Sequence, residues 1–545
     1  LTISGLDELE CKFFSLELFT MTNKNKAVLR LAVRTAIYSG LILAPVASFA
    51  LGLAPTKLVV SHTYYTGTTN PITAGVTQLP GKTAGTPSTA IAGSGYTTVW
   101  KNTTPDGSFG ITSPWYLSTV NAANGATIST VNLTAYAASQ GVNYVTSFSS
   151  KSEGALNFST DGSSLSLIGY NSTVGNLDIS NSNTPGLIDT TNPTYGFNSA
   201  TYRTIAQLNS NGTVNYLFTD AYSGNNGRAA ILDNKTGTYY LAGNAGNSGT
   251  SPANATLCAL SANTGVQALP ANGSTTTSTV VGALQGGGAG CTATGYQYGY
   301  SVSQYSYKGV VNPADKTGKD DNFRGLTHYN NTLYVTKGSG SNGINTVFQV
   351  GNGNDFDTLG TTSPIFVLPG FPTSPAKTVT PVNYPFALWF ANPTTLYVAD
   401  EGNGAYPFAA TGNEGLQKWI LNTTTGTWSL AYTLTAGLNL GVNYTVSGTA
   451  PDGTAGAYIT APSGLRQLTG LANPNNGTVT FYATTATVSN SGDNGADPNQ
   501  LVTITDNVAT TSLPASEKFR VLQTATFGEV LRGVAVLPAT SFLLP

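Results

Sequence analysis

The chain has 545 residues, a formal net charge of −2 and only 9% charged residues, against 40% hydrophobic residues, 62 glycines and 28 tyrosines. That hydrophobic fraction excludes a disordered chain, and no Lys/Arg run is present to track a phosphate backbone, which argues against nucleic-acid binding. A weakly charged chain rich in Thr, Tyr, Val and turn residues points to strands.

The only methionine is Met21. Lys24, Lys26, Arg30 and Arg34 follow it, then an apolar stretch over 36–46, then the small residues Ser48 and Ala50. This pattern predicts a secretory signal peptide over 21–50, cleaved after Ala50. The apolar stretch is short for a membrane anchor and contains Pro45. Residues 1–20 read as an upstream extension or a misplaced start. No later segment is long and apolar enough to span a membrane. Residues 51–545 are expected to form one domain.

Residues 57–63 read as a strand. Hairpin-like passages then open at Glu153, Arg203, Arg228, Arg324, Phe386 and Arg466. The passage from Arg324 shows the pattern: a strand, a polar turn at Asn330 and Asn331, and a second strand to Thr336. Further strands follow at 416–421, 428–434, 500–505 and 519–523. Residues 532–537 read as a first strand with no second strand after it, and 57–63 as a second strand with no first. Joined, they copy the Arg324 hairpin. The fold expected is therefore an all-β propeller of seven four-stranded blades, closed by pairing of the N- and C-terminal strands. Rings of six or eight blades are the alternatives. Starts at Arg324, Phe386, Arg466 and Arg532 lie roughly 60–80 residues apart, too far for the coils of a solenoid. The stretches 64–150 and 245–300 read as long loops decorating the ring. Cys258 and Cys291, the pair left once Cys11 is set aside, are expected to form a disulfide.

Several segments carry a resemblance: Ser152-Glu-Gly-Ala-Leu, Thr219-Asp-Ala-Tyr-Ser-Gly-Asn-Asn, Leu368-Pro-Gly-Phe-Pro-Thr, Leu396-Tyr-Val-Ala-Asp-Glu-Gly, Gly415-Leu-Gln-Lys-Trp, Gly464-Leu-Arg-Gln-Leu-Thr-Gly and Arg532-Gly-Val-Ala. In this order, from about residue 56 to the C-terminus, the chain resembles a family of secreted, propeller-like bacterial proteins of mostly uncharacterised function. The resemblance implies an exported, repeat-built β protein, secreted or on the extracellular surface. It brings no catalytic residues with it.

Chemistry is sparse. His62 falls in a second strand and His328 in a first, neither at a motif spacing from a nucleophile, and both read as packed or surface histidines. Asp315, Asp320, Asp321, Asp355 and Asp357 are the acidic concentration; they could offer oxygen ligands to Ca²⁺ but match no EF-hand, and solvated loop carboxylates are the simpler reading. The repeat itself supplies a constellation. Arg203, Arg228, Arg324, Arg466 and Arg532 open equivalent first strands, with Glu153 at the same place in another blade. First strands line a propeller's channel, so these residues should form a crown at one mouth. Second strands should bring Asp220, Asp400, Glu401 and Lys337 there too. Such arginines either tie blades together through carboxylates and carbonyls or form an anion-accepting mouth. The expected function is a non-enzymatic extracellular binding protein, a monomer that meets an extracellular partner or polymer. The alternative is a secreted hydrolase or lyase acting on an anionic small substrate at the mouth, with Ca²⁺ as a candidate cofactor.

Overall fold

The computed structural model describes the chain from residue 57 to the C-terminus, apart from 68, 70–71, 74, 84–85, 91–109, 247–253, 283, 286–300, 303, 306–310, 313–319, 491–493 and 539–541. The expected extension and leader, 1–50, lie outside the described residues. So does Cys291; its expected partner Cys258 lies on the helix Asn254–Ser261. No helix among the described residues is long and apolar enough to cross a membrane.

The protein is an all-β propeller. Among the described residues, antiparallel pairing builds six units of four strands. Blade 1 runs Glu529–Val536, Lys57–Tyr64, Thr112–Asn121, Thr127–Asn132. Blade 2 runs Asn157–Phe158, Ser164–Tyr170, Arg203–Asn209, Val214–Thr219. Blade 3 runs Gly227–Asp233, Thr238–Gly243, Gly265–Pro270, Thr279–Val281. Blade 4 runs Leu326–Tyr329, Thr332–Lys337, Thr346–Val350, Ile365–Val367. Blade 5 runs Pro385–Asn392, Thr395–Asp400, Gly415–Asn422, Thr427–Leu434. Blade 6 runs Ala455–Asn473, Thr478–Val488, Gln500–Asn507, Arg520–Thr524.

Each blade is bonded to the next, and the sixth to the first. Ser61 Oγ donates to Gly154 O (2.7 Å), joining blade 1 to the segment entering blade 2. Thr160 N donates to Leu232 O (3.0 Å) between blades 2 and 3. Arg228 Nη1 donates to Phe323 O (2.6 Å), and Thr336 Oγ1 to Phe386 O (2.6 Å). Ser463 Oγ donates to Glu401 O (3.1 Å), and Thr484 Oγ1 to Arg532 O (2.9 Å), which completes the ring. Apolar packing follows the same order. In Lys57–Tyr64, Val59 packs with Leu165 and Leu167 of blade 2, while Leu58 and Val60 pack with Tyr482 and Leu501 of blade 6. Alternate residues of one strand thus bury against two neighbours, so such strands are apolar on both faces.

The expected closure is present: Leu58 pairs with Val536 and Tyr64 with Glu529. So is the Arg324 hairpin, whose Asn330 and Asn331 both have positive φ (48° and 51°), the conformation of a two-residue type I′ turn. The count of seven blades is not met among the described residues. Arg203 opens the third strand of blade 2, not the first strand of a blade of its own. In an antiparallel meander a hairpin of strands three and four has the same local pattern as one of strands one and two. The stretches read as loops also carry strands: 64–150 supplies Thr112–Asn121 and Thr127–Asn132 to blade 1, and 245–300 supplies Gly265–Pro270 and Thr279–Val281 to blade 3.

Candidate functional site

The starts of the inner strands bring a charged cluster together. Arg228, Arg324, Arg466 and Arg532 stand in or beside the first strands of blades 3, 4, 6 and 1; Glu153 precedes that of blade 2. All five are buried. Glu401, just past the second strand of blade 5, joins them. Its carboxylate receives Lys151 Nζ at 2.9 and 3.0 Å and Arg466 Nε at 3.2 Å. Burial pushes the Glu401 carboxyl up, but Lys151, Arg466 and Arg324 outweigh it and hold it below the usual range. Lys151 keeps 31% of its side chain exposed and forms the solvent side of the cluster. Enclosure by protein lowers its ammonium; Glu401 opposes this and Arg324 and Arg466 add to it, giving about 8.

The members differ in how fully they are engaged. Glu153 accepts from Thr146 Oγ1 (2.6 Å), Ser147 N (3.0 Å), Asn226 Nδ2 (2.7 Å) and Tyr170 OH. Arg228 donates to Ser152 Oγ (3.0 Å) and Phe323 O. Arg466 donates to Glu401 and to Asn494 O (3.0 Å), and Arg532 to Phe148 O. Arg324 stands apart. Only 7% of it is exposed, its Nε is buried with no partner, and its guanidinium makes no hydrogen bond or ion pair among the described residues. Burial lowers its pKa, with Glu401 opposing and Arg466 adding to the effect. Among the described residues five cations, counting Lys151, thus face two carboxylates, and Arg324 is left with donors to offer.

Four expected members are engaged elsewhere. Arg203, at the start of a third strand, is fully buried and donates to the carbonyls of Thr201 (2.7 Å), Ser180 (3.1 Å), Ser182 (2.9 Å) and Asn225 (3.1 Å), which makes it scaffold. Asp220 follows the fourth strand of blade 2 and accepts from Ser278 N (2.9 Å) and Oγ (3.1 Å). Asp400 adjoins Glu401 but turns to Tyr384 N (2.7 Å), Gly402 N (2.9 Å) and Gln417 Nε2 (3.3 Å). Lys337 is spoken for by Ser339 O, Asn342 O and Asn345 Oδ1. Lys151 went unread because it lies two residues before Glu153, outside any strand.

Of the acidic residues considered for Ca²⁺, Asp355 caps Asn352 N and Gly353 N, and Asp357 pairs with Lys235. Among the described residues no group of three His, Cys, Asp or Glu side chains could hold a metal. His328 packs on the Phe356 ring at 4.6 Å, and burial lowers its pKa.

No protein-family description matches the chain, and no curated protein matches it significantly. Solved structures similar to it include the periplasmic gluconolactonase of Pseudomonas aeruginosa, at 12% identity and a TM-score of 0.37, covering 88% of this chain and 99% of that one. A Synechocystis apocarotenoid oxygenase is 9% identical with a TM-score of 0.33, covering 84% and 79%. The parainfluenza virus 5 haemagglutinin-neuraminidase ectodomain is 12% identical with a TM-score of 0.30, covering 80% and 78%. The fold assignment rests on the strand pairing itself.

Proposed function

We propose that the protein is an exported propeller that binds an anionic group at the inner-strand arginine cluster, on a free small anion or on an extracellular partner or polymer. The observation that carries this is Arg324. A guanidinium keeps its charge and needs acceptors, and leaving it buried without one is costly. An incoming carboxylate, phosphate or sulfate supplies the acceptor and meets Lys151, Arg228 and Arg466 around it.

Calorimetric titration with phosphate, sulfate and an acidic polysaccharide tests the reading. Arg324→Ala should weaken binding roughly tenfold or more, the worth of a charge-assisted hydrogen bond. Its melting temperature should fall little, because no side-chain hydrogen bond among the described residues is removed and a buried guanidinium charge goes with it. Affinity should also drop as pH rises through about 8, where Lys151 loses its charge, and as salt rises. Equal affinity in the variant, together with a lower melting temperature, would leave Arg324 as scaffold alone.

A further inference from the structure

A second polar cluster lies on blade 1, on the face turned to blade 6. His62 Nε2 is 2.9 Å from Ser118 Oγ, and His62 Nδ1 is 2.7 Å from Glu529 Oε1. The three residues come from three adjacent strands. The register explains their alignment: His62 stands opposite Leu531 and Tyr116, two residues from Glu529 and Ser118 respectively, so all three side chains share one face. Ser118 and Glu529 are held from behind. Thr130 Oγ1 lies 2.7 Å from Ser118 Oγ, and Thr526 donates to Glu529 Oε2 through N (2.8 Å) and Oγ1 (2.7 Å). Burial pushes the Glu529 carboxyl up, but His62 and Thr526 outweigh it and keep it ionised. An ionised Glu529 with Oε1 2.7 Å from Nδ1 favours the tautomer that carries the proton there, which leaves Nε2 to accept from Ser118. On the same face Leu58, Val60, Leu531 and Val534 pack against blade 6 as apolar core. At its end the core gives way to His62, Ser118, Thr127, Thr130, Gln523 and Glu529 around a cavity of about 350 Å³. A ladder serving stability alone would have no need of that space.

We propose that Ser118, His62 and Glu529 form a nucleophilic acyl-transfer site that cleaves small, uncharged carboxylic esters. His62 Nε2 takes the Ser118 Oγ proton as Oγ adds to the ester carbonyl carbon. The tetrahedral adduct collapses, the C–O bond to the alcohol breaks, and the leaving oxygen takes the proton from the His62 imidazolium. Water, with His62 again as base, then hydrolyses the acyl-Ser118 ester and releases the carboxylic acid. Glu529 is a positioning residue: it fixes the tautomer of His62 and stays ionised opposite the imidazolium. The hydroxyl of Thr127, which accepts from Gln523 Nε2 at 3.0 Å and so keeps its own proton to give, lines the cavity as the donor for the developing oxyanion.

The test treats the full-length protein with a fluorophosphonate and maps the adduct by peptide mass. One adduct per chain is expected, on Ser118. His62→Gln should slow labelling roughly a hundredfold or more, the usual contribution of a general base. Glu529→Gln, which keeps the shape of the pair, should slow it at least about tenfold and serves as the comparison if His62→Gln does not fold. Hydrolysis of p-nitrophenyl acetate should disappear in Ser118→Ala. Lys235→Ala, an exposed residue of blade 3 outside both clusters, should label at the wild-type rate. Wild-type protein with a normal melting transition and an unmodified Ser118 overturns the proposal, as does labelling of a folded Glu529→Gln variant at the wild-type rate.

Discussion

Asp400 and Glu401 are neighbours in sequence with opposite electrostatics. Glu401 sits among cations and stays ionised, while Asp400 is fully buried beside backbone N–H groups. Burial raises the Asp400 carboxyl; Tyr384 N and Gly402 N pull it back, Glu401 and Glu414 push it further, and it reaches about 7. The folded state thus holds more protons than the unfolded chain between about pH 4 and 7, and the associated stability is present at low pH and lost as pH rises through about 7. Asp400→Asn removes this dependence. Melting measured at pH 5 and pH 8 should show the variant gaining on the wild type at the higher pH, by roughly 1–3 kcal/mol. At this scale the sequence was partly legible. Arginines at strand starts mark the cluster, because a charge recurring in so poorly charged a chain stands out. Nothing local separates Arg203, wrapped by four carbonyls, from Arg324, which has none among the described residues. His62, Ser118 and Glu529 were not linked, although the ends of the chain were, because Ser118 lies in a stretch that reads as loop and Glu529 lies before the strand expected at 532–537.

The recurrent Arg-Gly pair has a cause at the level of the strand. A Cβ on Gly325 would lie 2.3 Å from Phe386 O of blade 5, and one on Gly533 2.2 Å from Gly154 O. Neither distance is compatible with a side chain, so glycine lets the inner strand of one blade lie against the backbone of the next. Gly325→Ala and Gly533→Ala should each destabilise the ring by about 1–3 kcal/mol or more, read by chemical denaturation, since a backbone carbonyl has little room to yield. The inner strands of blades 4 and 1 were easy to recognise from sequence for this reason: the Arg-Gly pair marks their starts. The outer strands of blades 5 and 6 were legible as well, but those of blade 1 were not. Thr112–Asn121 and Thr127–Asn132 are rich in Ser, Thr and Asn, and the latter is mostly exposed, so composition alone reads them as loop. Among the described residues six blades are built where seven are expected, because the outer hairpin Arg203–Asn209 with Val214–Thr219 has the local pattern of an inner one.

For the whole molecule the decisive element is Glu529–Val536, which fills the inner place of blade 1 and also supplies Arg532 and Glu529. Deleting the chain from Glu529 onward should leave Lys57–Tyr64 as an unpaired, apolar edge, and gel filtration should show aggregates or the melt lose its cooperativity. A truncated protein that stays monomeric and equally heat-stable would mean that the ring does not depend on its seam. The register of that seam sets how the protein answers force. Lys57 begins one strand and Val536 ends the other, and they meet at the same end because Leu58 faces Val536. Tension on the segments beyond these two residues loads the pairs one after another, from Leu58–Val536 towards Tyr64–Glu529, not all at once. Before that, the terminal segment must come off blade 2, where Leu543 N bonds Ser210 O at 3.0 Å and Phe542 meets Phe158 edge-on. The ring is therefore guarded against thermal opening by its closure but peels like a zip when pulled from its ends, with the C-terminal residues as the first catch to be released.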